Sequence, residues 1–380
     1  MTSNQPLLDN KPFSLSGDRF SWYAKMRRES PVFYDVTQSA WMVFRYQDVK
    51  RILSDWQTFS SKMPHPPEQI DFTQNLNRTD PPQHRTLRTL VAKVFTQGRA
   101  ESLAPRLRAI TQELLDRVQA QGRMDFIHDF CVPFPLIVIA EILGIPIEER
   151  DNFKRWSDGS IAGDLSAQRA LGDYFRDLLQ QRRGQPGTDL ISDLLAVHEA
   201  GEILTAQELV DMCILLLVAG NETTRNLLAN AIVCFYEYPD VFERLKQEPT
   251  LLPLAIEEVL RYHSPFQYLR RFTKVETQLG EQTIPAGQQI FAYLGSANRD
   301  ETQFERADKF TIDRDPNEHV AFGNGIHFCL GAPLARLEAA IGLQTVMERF
   351  PNLRVDPNAT LEIIGGNGLH GLKALPVLFG

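Results

Sequence analysis

The segment A-F-G-N-G-I-H-F-C-L-G, residues 321–331, constrains this chain more than any other stretch of its sequence. Glycines at positions 323 and 325 permit positive φ angles and a close approach of the backbone to a flat ligand. The next segment, A-P-L-A-R-L-E-A-A-I-G-L, has the apolar spacing of a helix. Cys329 therefore lies beside a helix N-terminus, where free N–H groups and the helix dipole stabilise an anion. A thiol with an ordinary pKa of about 8.5 is predicted to be a thiolate at such a position.

Other interpretations fit these residues less well. An isolated cysteine is most often a small buried hydrophobe, but that role does not account for the flanking glycines. A dinucleotide loop requires G-x-G-x-x-G after an apolar strand, and Phe328 occupies its sixth position here. The acidic stretch that begins at Asp313 imitates a calcium loop, yet Glu318 replaces the glycine that such a loop needs. The sequence thus favours a thiolate that binds a flat ligand.

The same residues resemble the haem-binding loop of the cytochrome P-450 family. Its pattern F-x-x-G-x-x-x-C-x-G is matched by Phe322, Gly325, Cys329 and Gly331. The resemblance implies that Cys329 is the axial ligand of a haem b iron and that His327 donates to a haem propionate. It also implies a mainly α fold with small β-sheets (α+β). In that fold a triangular helical prism holds haem between a long distal helix and a proximal loop and helix that carry the cysteine.

This resemblance runs over essentially the whole chain and implies a single domain, residues 1–380. Hydrophobic residues make up 43% of the sequence and no shift in composition marks a linker, which agrees with one large core. The β-rich portions are predicted at about 31–46, 268–292 and 361–380, and the remainder is predicted to be helical. Within that remainder, helices are predicted over 125–143 and 150–183 and a long loop over 60–78. The last β-rich portion is predicted to contain a glycine-rich turn with its tip near 367–370.

Composition excludes several classes of protein. A net charge of −8 argues against nucleic acid as the main partner. The longest apolar runs fall well short of the roughly 20 residues that span a bilayer, and the N-terminus resembles no signal peptide. The four cysteines form no C-x-x-C pair, which suits reduced thiols in a cytosol. We expect a soluble, cytoplasmic protein of the bacterial type that has no membrane anchor and acts as a monomer.

Further cofactor-binding residues are predicted upstream of the cysteine. A helix is expected to open at T-D-P-P-Q-H-R-T-L-R with Asp80 as its N-cap, so that His84 and Arg88 share one face. A solvated polar face would explain this pair equally well, but H-x-x-x-R resembles the family's two propionate donors. Arg271 has the spacing of the family's other propionate-binding arginine, and Arg270 remains an alternative.

A long helix is predicted from the capping box T-A-Q-E at 205–208 to about residue 236. Its centre reads A-G-N-E-T-T, where glycine costs about 1 kcal/mol of helix propensity and polar side chains interrupt an apolar stripe. This segment resembles the oxygen-binding segment of the family. Ala219 would then face the haem, and Glu222 and Thr223 would be the catalytic acid and alcohol. The alternative is structural: the Thr223 hydroxyl bonds back to a helix carbonyl and Glu222 is simply exposed.

The motif E-x-x-R follows the long helix in the chain. Glu258 and Arg261 are three residues apart and can pair on one side of a helix. In the family such a pair is completed by a later arginine, which Arg314 matches. These three residues are predicted to serve folding rather than chemistry.

The resemblance implies a haem-thiolate monooxygenase that inserts one oxygen atom of O2 into an apolar small molecule by hydroxylation or epoxidation. Glu222 and Thr223 would relay protons. A lipid, terpenoid or steroid-like substrate is expected from the apolar residues predicted to form the pocket walls, which are Met63, Leu215, Ala219, Phe266, Tyr268 and Leu369.

Electrons are expected from a separate ferredoxin and ferredoxin reductase, because the sequence contains no flavin or NAD-binding segment. A basic docking face near the cysteine loop is predicted from Lys93, Arg99, Arg106 and Arg336. Two alternatives to the monooxygenase remain: a peroxygenase of the same fold, which would use hydrogen peroxide, and a haem-thiolate sensor without turnover.

Overall fold

The computed structural model describes residues 18–64, 75–92, 96–161, 164–199, 205–366 and 368–380. Helices account for most of these residues. In chain order they are α1 (Asp18–Glu29), α2 (Tyr46–Ser54), α3 (Gln83–Ala92), α4 (Gln97–Ser102), α5 (Ala104–Gln119), α6 (Pro133–Ile142), α7 (Arg150–Ile161), α8 (Leu165–Gly184), α9 (Leu190–Glu199), α10 (Ala206–Glu237), α11 (Pro239–Gln247), α12 (Leu252–Tyr262), α13 (Leu294–Ala297) and α14 (Ala332–Arg349).

The strands are short and form four small sheets. They are β1 (Val32–Asp35), β2 (Ala40–Val43), β3 (Phe59–Ser60), β4 (Arg123–Asp125), β5 (Leu269–Thr273), β6 (Thr277–Leu279), β7 (Gln282–Ile284), β8 (Gln289–Ala292), β9 (Arg354–Val355), β10 (Ile363–Gly366), β11 (Leu369–Leu372) and β12 (Pro376–Leu378). The largest sheet has the order β1-β2-β8-β5-β3, and β4-β12-β9 form another. All three predicted β-rich portions contain strands. The sequence did not reveal β3, β4 and β9, because two or three residues are too few to show alternation.

Helix α10 is the central element and passes between two hydrophobic clusters. Its second half belongs to one cluster with residues of α5, α12 and α14, and its first half belongs to the other with residues of α6, α8 and α9. The predicted capping box is confirmed: Thr205 Oγ1 accepts from the Glu208 N–H at 3.1 Å, and the Thr205 N–H donates to Glu208 Oε2 at 2.8 Å. Because its core contacts are so extensive, α10 provides a rigid base for side chains at its centre.

Two predicted helices are each divided in the structure. The segment predicted as one helix over 125–143 contains a π-helical turn, Phe126–Cys131, before α6 starts at Pro133. Proline lacks the N–H that would continue the preceding hydrogen-bond ladder, which explains the break. The segment predicted to be helical over 150–183 is interrupted before α8, where the Asp164 side chain accepts from the Ser166 N–H and caps the new helix.

The predicted N-cap residue Asp80 lies just ahead of α3, which begins at Gln83, and its carbonyl accepts from the His84 N–H at 3.0 Å. The Asp80 carboxylate accepts from the Ser60 hydroxyl at 2.6 Å and from the Ser61 N–H at 3.1 Å. Lys274 lies 3.8 Å from the same carboxylate. Asp80 therefore ties the start of α3 to strand β3 and to the chain after β5.

The predicted pairing of Glu258 with two arginines is confirmed. Glu258 and Arg261 are fully buried on α12 and form a bidentate pair with both distances at 2.7 Å. Arg314 Nε completes the cluster at 3.2 Å from Glu258 Oε2. The remaining N–H groups of Arg261 donate to the carbonyls of Asn298, Ala307 and Lys309, so the pair organises the irregular chain before the cysteine loop.

Among the described residues, no helix has the length and apolarity of a membrane span. Three sequence predictions involve residues outside those described. They are Lys93, most of the loop predicted at 60–78, and the tip of the turn between β10 and β11.

Candidate haem and oxygen site

The cysteine loop has the backbone that its glycines predicted. Gly323 and Gly325 have φ angles of +76° and +71°, a region that side-chain-bearing residues rarely adopt. A Cβ at Gly325 would also come within 2.7 Å of Ser54 Cα on α2, so close packing requires glycine there. The Cys329 N–H donates to the Phe322 carbonyl at 2.9 Å and closes the loop ahead of α14.

Burial decides the protonation of the free Cys329 thiol. Desolvation raises its pKa, although hydrogen bonds from the Gly331 and Ala332 backbone and the charges of Arg88 and Arg336 act in the opposite direction. The N–H groups at the start of α14 thus favour the thiolate, as predicted, but for the unliganded side chain burial has the larger effect on the pKa. The surrounding donors and cations would nevertheless favour a thiolate whose charge is shared with a metal ion.

A cavity of about 290 Å³ lies between α10, the cysteine loop and strand β5. Its walls are mostly apolar. Seven of the predicted site residues line it: Arg88, Ala219, Thr223, Arg271, Phe322, His327 and Cys329. His84 lies beside it, with its ring centroid 4.2 Å from that of His327. Glu222 is half-buried and is not among the lining residues.

The predicted pocket walls are reproduced in part. Leu215, Ala219 and Phe266 line the cavity. Tyr268 does not, and the prediction was wrong for it: its ring packs against Phe291 and Tyr293, with centroid distances of 4.8 and 5.4 Å. Met63 and Leu369 are likewise not among the described residues that line the cavity.

Four cationic or potentially cationic side chains meet at one side of the cavity. Burial and neighbouring arginines lower the pKa of His84 to about 4 and that of His327 to about 3, and burial lowers that of Arg271 to about 10. The buried Nε2 atoms of both histidines have no hydrogen-bond partner among the described residues. Arg88 uses one N–H to hold the Phe328 carbonyl at 2.8 Å. The Asp80 carboxylate acts electrostatically on His84 and Arg271, but it is already hydrogen-bonded to Ser60 and Ser61. A ligand with carboxylates would supply further compensating charge to this group.

Strand β5 distinguishes the two candidate arginines. Successive side chains of a strand point to opposite faces. Arg271 is only 6% exposed and lines the cavity, whereas Arg270 is exposed and lies over the Phe291 ring at 5.4 Å. The geometry therefore favours Arg271 over Arg270 as the contact for an anionic ligand.

Helix α10 continues without interruption through its polar centre. The Thr223 hydroxyl donates to the Ala219 carbonyl at 2.9 Å, one turn earlier. This is the hydrogen bond of the structural alternative, and it coexists with a position on the cavity wall. A Cβ at Gly220 would meet Ile139 at an ordinary 3.5 Å, so neighbouring protein atoms do not require glycine there. Glycine at this point leaves space in the cavity instead.

Sequence inspection missed Glu338, on α14. Its side chain is 2% exposed, lines the cavity and hydrogen-bonds Thr224, while its Oε2 has no partner among the described residues. Burial raises the pKa of this carboxyl well above the ordinary value and so favours its neutral form. The sequence feature that could have identified Glu338 is its position one turn after Leu334, which places an acidic residue on the apolar face of the helix.

The comparisons with known proteins agree with this geometry. The family model Cytochrome P-450 matches residues 151–366. Cytochrome P-450 109 of Bacillus spizizenii is 41% identical over 374 residues, 94% of this chain and 91% of that protein. The monooxygenase PikC of Streptomyces venezuelae is 37% identical, over 99% of this chain and 95% of its own.

A solved structure matches over nearly the whole fold. CYP109E1 from Bacillus megaterium in complex with testosterone superposes with a TM-score of 0.91 at 41% identity, covering 96% of this chain and 98% of that one. The mainly α fold with small sheets is thereby confirmed. The chain belongs to the cytochrome P-450 family, and it is a monooxygenase-type oxidoreductase whose cofactor is haem with a cysteine thiolate as axial ligand.

Proposed function

We propose that this monooxygenase inserts one oxygen atom of O2 into an apolar small molecule of the lipid, terpenoid or steroid kind, by hydroxylation or epoxidation. The observation that carries the proposal is the cavity that has Cys329 and Thr223 in its walls and is otherwise mainly apolar. The testosterone bound by the Bacillus megaterium relative supports the steroid-like part of this class.

We assign Cys329 as the axial ligand and the group of His84, Arg88, Arg271 and His327 as the propionate site. The residues fit the cofactor, because Cys329, Arg88 and Arg271 line one cavity. In addition, the buried Nε2 atoms of His84 and His327 have no hydrogen-bond partner among the described residues. When bound through a thiolate, haem supplies dioxygen activation, since the electron-rich sulfur favours O–O cleavage. Phe322 and Ala219 would contact the cofactor from the proximal and distal sides.

Two side chains on the distal helix, Thr223 and Glu222, would deliver protons to the cavity. Thr223 has its hydroxyl proton committed to the Ala219 carbonyl, so its oxygen is left as an acceptor on the cavity wall. It can therefore hold a water molecule in the cavity. Glu222, in the next position toward the N-terminus, is half-buried and would pass protons from the protein surface to that water.

Electrons would come from a ferredoxin and its reductase that dock near the cysteine loop. The predicted basic face receives little support from the contacts of its described members. Arg99 pairs with Asp193, Arg106 with Glu113 and Glu141, and Arg336 with Glu257. Since these cations are already compensated, the docking proposal rests on the short distance that electron transfer requires and not on long-range attraction.

Replacement of the cysteine tests the assignment. Cys329→His should retain some haem but lose the strongly red-shifted ferrous carbonyl band that a thiolate ligand produces. Cys213→Ala is the matched control, because Cys213 is a buried thiol that is not among the described residues lining the cavity. It should keep the band. An unchanged band in Cys329→His would show that the thiolate ligand lies elsewhere.

A turnover experiment separates the alternatives. A monooxygenase forms product with NAD(P)H, ferredoxin and its reductase, and a peroxygenase forms it with hydrogen peroxide alone. A sensor would shift its haem spectrum on ligand binding and form no product in either arm. Screening apolar compounds, testosterone first, for a low-spin to high-spin shift supplies the substrates for this test.

A further inference from the structure

One part of the cavity wall is formed by a short segment after α12. Pro265, Phe266 and Leu269 line the cavity. Gln267, within this segment, does not line it and is 2% exposed. A buried primary amide has to satisfy an oxygen and two N–H groups, so its surroundings reveal what it holds together.

The Gln267 side chain joins its own turn to helix α1. Its Oε1 accepts from the Tyr23 hydroxyl at 3.1 Å, and its Nε2 donates to the Ser264 carbonyl at 2.7 Å. Tyr23 is itself 2% exposed and lies in the aromatic cluster under the large sheet. The amide also packs on the Gly295 backbone so closely that a Cβ at that position would collide with Oε1.

The Gln267 backbone joins two further segments to the same point. Its N–H donates to the Gly368 carbonyl at 2.6 Å, and its carbonyl accepts from the Gly295 N–H at 3.1 Å. Phe266 pairs with Leu369 in an antiparallel bridge. Gln267 thus connects α1, the start of α13 and the start of β11 to the segment that carries Phe266 and Leu269.

We propose that Gln267 is a positioning residue for substrate selection, which fixes the Phe266–Leu269 wall through α1 and thereby sets which ligands the cavity accepts. The inference rests on the proposed function, because it concerns substrates of that cavity. A leucine would fill a similar volume but would make none of these side-chain hydrogen bonds. The glutamine is therefore required for its polar contacts and not for its size.

Two iron-binding probes of different size test the proposal. Imidazole is small and needs no contact with the wall, whereas 4-phenylimidazole projects from the haem toward it. In Gln267→Leu the ratio of their dissociation constants should change by about ten-fold, the typical effect of altering one apolar pocket contact. Tyr23→Phe removes a single hydroxyl and should change the ratio in the same direction by a smaller factor.

The controls separate this inference from the proposed function and from loss of folding. Tyr34→Phe is the matched substitution, since Tyr34 is an exposed tyrosine outside the network, and its ratio should equal that of the wild type. The ferrous carbonyl band reports the thiolate-bound haem in every variant, and its absence in the wild type would refute the cofactor assignment instead. A lower melting temperature in Gln267→Leu and Tyr23→Phe with an unchanged ratio would overturn the positioning role. If Gln267→Leu does not fold, Tyr23→Phe alone decides.

Discussion

At the residue scale, burial sets the chemistry of this site more than local sequence does. The Cys329 thiol sits beside a helix N-terminus, yet desolvation raises its pKa. Desolvation likewise raises the pKa of the Glu338 carboxyl. Thr223 combines a helix back-bond with a position on the cavity wall, so its structural and functional interpretations do not exclude each other.

A first prediction concerns the Thr223 hydroxyl. Thr223→Ala should retain the fold, the haem and ligand binding, because it removes only a hydroxyl and a methyl group. Without this acceptor, water in the cavity is held less well and protons are delivered to the wrong oxygen atom. Product formed per NAD(P)H should fall by roughly ten-fold while hydrogen peroxide rises, since positioned proton transfer contributes at least that much.

Peroxide, product and NAD(P)H consumption have to be measured together in this test. Thr223→Ser keeps the hydroxyl and is the matched control, with coupling close to that of the wild type. Unchanged coupling in Thr223→Ala would assign the hydroxyl to its bond with the Ala219 carbonyl alone.

At the element scale, α12 links the buried ion pair to the site. Arg261 binds the Asn298 carbonyl, and the Asn298 side chain in turn accepts from the Val320 N–H at 2.7 Å and donates to the Ser264 hydroxyl at 2.8 Å. The ion pair is therefore two contacts away from the start of the cysteine loop. Its effect on function should come through the placement of that loop.

A second prediction follows for Glu258→Gln. The change leaves Arg261 buried beside a neutral group, and an unpaired buried charge costs about 3–5 kcal/mol of unfolding free energy. Urea denaturation measures this loss of unfolding free energy, and haem absorbance serves as a second probe of unfolding. Glu243→Gln removes one partner of the exposed pair with Lys246 and should cost about 0–1 kcal/mol. Equal costs for the two variants would contradict the folding role of the α12 pair.

At the scale of the whole molecule, two stacked histidines join distant parts of the chain. His263 ends α12, and His370 lies on β11 with its ring 5.9 Å from that of His263. Arg19 of α1 contacts His370 Nδ1 at 3.0 Å, and Arg299 is a further nearby cation. Glu237 lies 3.8 Å from His263 Nε2. Burial raises the pKa of this carboxyl, which makes it less effective at stabilising a protonated imidazole. Burial and these arginines hold the pKa of both histidines well below the ordinary value.

The third prediction is that the folded protein loses stability in acid. Below the ordinary histidine pKa of about 6.5 the unfolded chain binds protons at both positions, whereas the folded protein does not. Stability is therefore present above pH 6.5 and falls as the pH is lowered, by up to about 1.4 kcal/mol per pH unit for each histidine.

Urea midpoints at pH 7.5, 6.5 and 5.5 measure this slope. His370→Gln keeps an acceptor for Arg19 but cannot take up a proton, so it should reduce the slope by about one proton. A slope identical to that of the wild type would show that His370 does not contribute to the acid sensitivity.

The sequence by itself determined the features that depend on residues close together in the chain. The cysteine loop with its two glycines, the capping box of α10 and the pairing of Glu258 with Arg261 each lie within one turn or one loop. Local backbone geometry follows from residue type at such distances, so spacing alone identifies these motifs. The assignment of the whole chain to one domain stays a prediction.

Only the tertiary structure decided which side chains face the cavity and which charges are compensated there. Arg271 and Arg270 are neighbours in sequence, and the contacts of β5 with β8 select between them. Arg99 pairs with Asp193, about a quarter of the chain away, and Gln267 accepts a hydrogen bond from Tyr23, which is 244 residues away. These outcomes depend on desolvation and on contacts between distant segments, and neither property is a function of local spacing.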